Sequence, residues 1–155
     1  MKKVANSQKE VIFRIQQEEY GISITEILSI EKSCSITPIA NQNPFFIGVT
    51  DLRGTIIPII DMCKVFNYAT TSSSESRCYI MVMVKNQIFG LMVDAATDIV
   101  EVPSDVIQKM PSFFSEFIYG MAQLGTRMIV LLDLPTLLST ISTDRTLPTL
   151  SDTLR

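Results

Sequence analysis

Residues 48–61 read GVTDLRGTIIPIID, two apolar runs of strand length on either side of Asp51-Leu52-Arg53-Gly54. Asp at the first position of a four-residue turn and Gly at the fourth favour a type I turn, because the Asp side chain caps it and Gly54 takes positive φ cheaply. Residues 51–54 are therefore expected to form a hairpin turn with Leu52 and Arg53 as its central pair. Pro58 cannot donate to a ladder, so its place is at an edge or a bulge. An arginine at a turn tip is ordinarily a solvated residue. Beside it, however, Leu52 is apolar at a position that should be wet, and arginine next to exposed apolar surface is a common composition for an interface hot spot. Both readings of Arg53 stay open at this point.

The same stretch repeats. GVTDLRGTIIPIIDM (48–62) aligns with GMAQLGTRMIVLLDL (120–134), matching Gly48 with Gly120, Leu52 with Leu124, Ile57 with Ile129 and Asp61 with Asp133. Upstream, EEYGISI aligns with NQIFGLMV through Gly21 and Gly90, at an offset of 69 where the later segments stand 72 apart. The order of features is common to both copies: a hairpin, an irregular stretch, a Gly-led strand, a turn, and an apolar strand ending in Asp. VIFRIQ (11–16) and YGISI form one hairpin, spanning 11–24, around a polar turn at Gln17-Glu18-Glu19. YIMVMV and IFGLMV form another around Lys85-Asn86-Gln87. Each copy is a strand-rich unit of roughly 60 residues, and closure into a barrel removes the unpaired ladder edges of so small a sheet.

The expected fold is mainly all-β, two small barrels side by side, with a single sandwich as the alternative. The polar, serine-rich NYATTSSSESR (67–77) is the one internal linker. It divides the chain into a tail at 1–9, a first barrel at about 10–68, a second at about 77–140 and a tail at 141–155. LPTLLSTI spaces its apolar residues as a short amphipathic helix, with Pro135 tolerated in its first turn.

Bulk properties narrow the function. The 155 residues fit one domain, able to bury roughly 68–70% of the unfolded surface. Net charge is −3 and the sequence pI about 4.9, the opposite of a nucleic-acid-binding footprint. No run approaches the ~20 apolar residues of a membrane span, and MKKVANSQKE lacks the apolar centre of a signal peptide. The cytoplasm is the expected location. Histidine is absent altogether, which removes histidine metal ligands, His-dependent triads and phosphohistidine chemistry. Cys34, Cys63 and Cys78 are odd in number and lack metal-ligand spacing, so they read as reduced, partly buried thiols. Asp61 and Asp133 read as caps or turn acceptors rather than catalytic acids. Asp94 and Asp98 either share a helical face or are solvated. Met81, Met83 and Met92 fall in strands, either as core or as a plastic binding surface. No cofactor motif is present, and a binding module is favoured over an enzyme.

At this level of detail the chain resembles the CheW-type coupling proteins of bacterial chemotaxis, relatives of the regulatory domain of CheA kinases. The resemblance covers about residues 10–140. It rests on EEYGISI, GVTDLRGTIIPIIDM, IFGLMVDAATDIVEVP and IYGMAQLGTRMIVLLDL in that order. It implies two side-by-side SH3-like five-stranded β-barrels with a short C-terminal helix, and a non-enzymatic adaptor. Such an adaptor would bridge the cytoplasmic hairpin tip of a chemoreceptor to the regulatory domain of a CheA-type histidine kinase. A CheW-like adaptor of a parallel pathway, such as twitching motility, is the alternative. The resemblance assigns the family's LRG arginine to Arg53, and partner-binding positions to Gly48, Gly54, Ile27, Tyr79 and Ile99; Leu52, apolar at the turn, and Ser29, where the chain departs from the family, complete the expected surface. Many relatives carry glutamate where this chain has Ser29, so Arg53 is expected either to use Glu26 or Glu31 in place of that acid or to be freed for a partner.

Overall fold

A computed structural model describes residues 6–40, 43–68, 76–111 and 115–142. The greater part of the serine-rich linker (69–75) and of both tails (1–5 and 143–155) lies outside the described residues.

The strands are β1 (Ser7–Ile15), β2 (Glu18–Ser23), β3 (Ile27–Glu31), β4 (Phe46–Leu52), β5 (Thr55–Asp61), β6 (Cys78–Val84), β7 (Gln87–Val93), β8 (Ala95–Pro103), β9 (Ile107–Lys109), β10 (Ile118–Leu124) and β11 (Arg127–Leu132). The helices are α1 (Met62–Val65) and α2 (Leu134–Ser142). β1 already begins at Ser7, inside what the sequence marks as tail.

Two sheets form. Sheet I has the order β8-β1-β2-β11-β10-β9 and sheet II the order β3-β6-β7-β5-β4. The mainly-β, SH3-like expectation holds, with six strands in sheet I where five were expected. Neither ladder is a complete ring; the chain itself joins the two edges. In sheet I the outer strands β8 and β9 follow one another through a 3-10 turn at Ser104–Val106. In sheet II the segment after β3 reaches β4 through one bridge, Thr37 N donating to Val49 O at 2.8 Å and Val49 N to Thr37 O at 2.9 Å.

The division of the chain at the linker does not match the sheets. Hairpin β1–β2 lies in sheet I with the C-terminal strands, and hairpin β6–β7 lies in sheet II with β3, β4 and β5. Each half thus lends its hairpin to the other, and the repeat is obeyed in the exchange. β5 runs parallel to β7 with Ile59 opposite Gly90, and β11 runs parallel to β2 with Leu131 opposite Gly21. Gly90 lets the strands pack closely here: a Cβ on it would stand 2.5 Å from Ile59 Cδ1 and force the Ile59 side chain to shift.

The exchange makes β1, β2, β6 and β7 two-sided. Val11, Phe13 and Ile15 join Ile80, Val82 and Val84 in one large shared core, closed by Leu134, Leu137, Leu138 and Ile141 of α2. The intervening residues face inward: Ile12 into the small core of sheet I with Ile129 and Leu131, Met81 into that of sheet II with Ile57 and Ile59. That is why these segments read as continuous apolar runs and not as alternation. Each fully buried aliphatic side chain contributes about 1.5–3 kcal/mol by removal from water.

Local chemistry sets the joints. Asp61 accepts from Cys63 N at 3.0 Å and Asp133 from Thr136 N at 3.2 Å, so both aspartates cap the helices that end their repeats. Asp94 and Asp98 share no helix. Asp94 accepts from Gln16 N, and Asp98 on β8 joins Glu19 of β2 in holding Arg127 of β11, with both carboxylates 2.9–3.0 Å from the guanidinium. Pro58 lies opposite Val49 of β4, and the ladder to β7 begins only at Ile59, so no hydrogen bond is lost. Met81 and Met92 are core, whereas Met83 is 40% exposed.

Two acidic side chains are buried, Asp61, which caps α1, and Glu10. Glu10 on β1 is 1% exposed, on the face that carries Ile12 into the small core of sheet I. Gln8 Nε2 donates to Glu10 Oε2 at 2.7 Å and to the Tyr119 hydroxyl, while Glu10 Oε1 has no hydrogen-bond partner among the described residues. Burial pushes the carboxyl up from its ordinary 4.5 to about 7, the Gln8 hydrogen bond opposing and the charge of Glu26 adding to the rise.

Two predictions follow from these strained or buried positions. Because the folded state holds the Glu10 proton more tightly than the unfolded chain, the stability this group contributes is full below pH 4.5 and is lost as pH rises to about 7. Urea unfolding between pH 5 and 8 should show that decline, and Glu10→Gln should flatten it; an unchanged slope in the variant would assign the decline to other groups. Gly48 has φ +154°, and a Cβ there would stand 2.4 Å from the Thr37 carbonyl oxygen that closes sheet II. Gly48→Ala should therefore lower stability by about 2–4 kcal/mol, read as a drop in the urea midpoint.

Candidate functional site

The β4–β5 hairpin is tighter than its sequence suggests. Pairing continues to Leu52 opposite Thr55, so the loop is Arg53-Gly54 and not Leu52-Arg53. Both loop residues have positive φ, 52° and 89°, the type I′ geometry whose twist matches the flanking strands. Type I is overridden because a two-residue loop must follow the sheet's right-handed twist. Asp51 Oδ1 accepts from Gly54 N at 2.8 Å and fixes the turn.

This geometry projects Arg53 from the end of sheet II. It is exposed and makes no hydrogen bond or ion pair among the described residues. Neither expected acid reaches it. Glu31 accepts from the Ser29 hydroxyl at 2.8 Å, and Glu26 lies against Glu10 and Asp133 at the mouth of sheet I. Arg127, the residue immediately after the matching turn of the second repeat, is by contrast held by Glu19 and Asp98. Beside Arg53, Ile56 is 62% exposed and Leu52 half-buried against the core of sheet II.

β4 is also the edge of its sheet, and a cavity lies on either side of it. One, of about 590 Å³, is lined by Cys34, Ser35, Thr37, Thr50, Asp51 and Leu52. The other, of about 210 Å³, is almost wholly apolar, with Ile39, Phe46, Gly48, Val49 and Pro58 around it. Gly48, Leu52, Arg53 and Gly54 thus form one contiguous edge, next to grooves of different polarity.

The other expected positions are dispersed. Tyr79 on β6 is 9% exposed and packs in the same small core as Leu52. Ile27 is half-buried against the shared core, and Ser29 lies further along β3. Ile99 is 56% exposed on β8 of sheet I, opposite Val11. Its counterpart went unread in the sequence: Ile30 on β3 is 43% exposed and stands opposite Ile80. The repeat offset of 69 carries Ile30 onto Ile99 and Val11 onto Ile80, and that offset was the available signal. Likewise an offset of 72 carries exposed Ile56 onto Met128, which is 45% exposed.

The thiols are poor nucleophiles in this setting. Burial pushes Cys63 up to about 11, with the charge of Asp94 adding to it, and burial also raises Cys34 and Cys78. Among the described residues no cluster of His, Cys, Asp or Glu could hold a metal ion, and no helix is long and apolar enough to cross a membrane.

Comparison with known proteins gives the same answer from sequence and from structure. The family model described as the CheW-like domain matches residues 9–142. A chemotaxis protein CheW from Klebsiella aerogenes is 35% identical over 136 residues, covering 85% of this chain and 82% of that protein. The Bacillus subtilis chemotaxis protein CheW is 30% identical over 108 residues, 70% of this chain and 69% of its own. Among solved structures, the scaffolding protein TtCheW from Thermoanaerobacter tengcongensis superposes with a TM-score of 0.79 at 31% identity, covering 85% of this chain and 92% of that one. With the exchanged double barrel and a family match over nearly all of its described length, the chain belongs to the CheW-like family.

Proposed function

We propose that this chemotaxis scaffold couples the cytoplasmic hairpin tip of a chemoreceptor to the regulatory domain of a CheA-type histidine kinase, with no chemistry of its own. It would work in the cytoplasm, recruited to the inner face of the membrane through its receptors. The observation that carries this reading is the exposed Arg53, without a hydrogen bond or ion pair among the described residues, at the tip of an edge hairpin beside exposed Ile56 and half-buried Leu52. An arginine fork next to apolar surface suits a docking hot spot, because the guanidinium loses little favourable interaction within its own chain when a partner takes it. Exposed Ile99 offers a second contact on the other sheet, so the two partners need not compete for one surface. The absence of histidine and the raised thiol pKa values are in keeping with a protein that binds and does not catalyse.

Calorimetric titration of the chain with the regulatory domain of a CheA-type kinase from the same genome tests the reading, alongside kinase stimulation in a receptor-containing assay. Wild type is expected to bind, and Arg53→Ala to weaken one of the two readouts by about tenfold, or ~1.4 kcal/mol. Its own stability should change by less than about 0.5 kcal/mol, as for an exposed side chain without partners. Binding and stimulation unchanged in Arg53→Ala would remove the arginine from the interface. Absence of any interaction by the wild type would overturn the coupling role.

A further inference from the structure

At the mouth of the small core of sheet I, Gln8 and Glu10 of β1, Ser23, Glu26, Tyr119 and Asp133 surround a cavity of about 320 Å³ completed by residues 132 and 134–135. Three carboxyl groups line it, and no lysine or arginine does. We propose that this cavity receives one organic cation, an ammonium or guanidinium group on a flexible stem such as a lysine or arginine side chain of a protein partner.

The repeat shows that the barrel itself does not require the acid. The offset of 69 that carries Ser23 onto Met92 carries Glu10 onto Tyr79, and the two pairs hold the same place in their hairpins, Glu10 opposite Ser23 and Tyr79 opposite Met92. Sheet II fills that position with an aromatic ring packed beside Met81 and Ile57. Sheet I fills it with a carboxyl group that is 1% exposed and has one oxygen unsatisfied among the described residues. Buried polar atoms are nearly always paired, so an orphaned carboxylate oxygen marks a missing partner. The partner should be a cation, because the neighbouring charges are of one sign: the charge of Asp133 helps to raise Glu26, and that of Glu26 helps to raise Glu10. It should also be larger than a metal ion, since these donors do not converge closely enough to ligate one. A group with several outward N–H donors spans them instead, held in the field of Glu26 and Asp133 and bonding to Glu10 as that side chain turns its free oxygen from Gly21 toward the cavity. The Gln8 side chain, tied to both Glu10 and Tyr119, holds the acid in place for it.

This site is independent of the coupling role assigned to Arg53, on the other sheet, and either can fail alone. The test follows the carboxyl carbon of Glu10 by NMR in the full chain while pH is varied. It is run alone and with N-acetyl-arginine amide, N-acetyl-lysine amide, spermidine, or neutral N-acetyl-citrulline amide. Either capped cation should lower the Glu10 midpoint by about one unit, a tenfold preference for the charged form. Glu10→Gln should abolish saturable shifts of Glu26 and Asp133. If that variant does not fold, Glu26→Gln should weaken the binding severalfold. An effect confined to spermidine would keep the site and make its ligand a free amine. The proposal is overturned if no cation moves the midpoint, if citrulline moves it equally, or if cations bind Glu10→Gln as they do wild type.

Discussion

The structure depends on the exchange of hairpins between the two halves of the chain. Sheet I is incomplete without β1–β2, and sheet II without β6–β7. Because each borrowed hairpin enters through a parallel pairing, β2 on β11 and β7 on β5, the sheets form only when segments more than 100 and about 30 residues apart in sequence meet. The same exchange turns the outer faces of β1 and β6 toward one another and creates the large shared core. Neither half can bury that face alone, so the two barrels stand or fall as one cooperative unit. Asp61 and Asp133 complete the arrangement by capping the helices that leave β5 and β11.

Exchange also decides where partners can reach. The borrowed hairpins occupy interior positions of each sheet, so the edges and tips left open include the β4–β5 hairpin in sheet II and β8 in sheet I, the surfaces proposed above for partners. Gly48 lets β4 come against Thr37, which closes the barrel and shapes both cavities beside that strand. Gly48 thus shapes the edge strand that leads to Arg53. Tyr79 and Ile27 likewise support this surface from within and are not laid open on it.

Charge is distributed unequally over two barrels that share one plan. Sheet I ties Arg127 down between Glu19 and Asp98 and carries carboxyl groups around its mouth; sheet II has Tyr79 packed in its small core where sheet I has Glu10, and carries Arg53 exposed at a hairpin tip. An arginine held by two carboxylates within the chain has little left to offer a partner, whereas Arg53 keeps its whole fork. The doubled backbone therefore carries two chemically different faces, as an adaptor between unlike partners requires.

Much of this was written in the order of residues. Turn chemistry, β-branched runs and the Gly-to-Asp pattern at 48–61 and 120–134 determined the strands, the repeat, the helix caps and the family resemblance, all of which rest on short-range stereochemistry. The loop at Arg53-Gly54 was displaced by one residue because the twist of the paired strands, a property of the sheet, chose the turn type. Which hairpin belongs to which barrel was beyond reach of any pattern, since both hairpins carry apolar residues on both faces and local preference cannot distinguish one acceptor sheet from the other. The burial of Glu10, and the lack of any partner for Arg53 among the described residues, were hidden for the same reason. What surrounds a charge is set by strands distant in sequence, and only the folded chain brings them together.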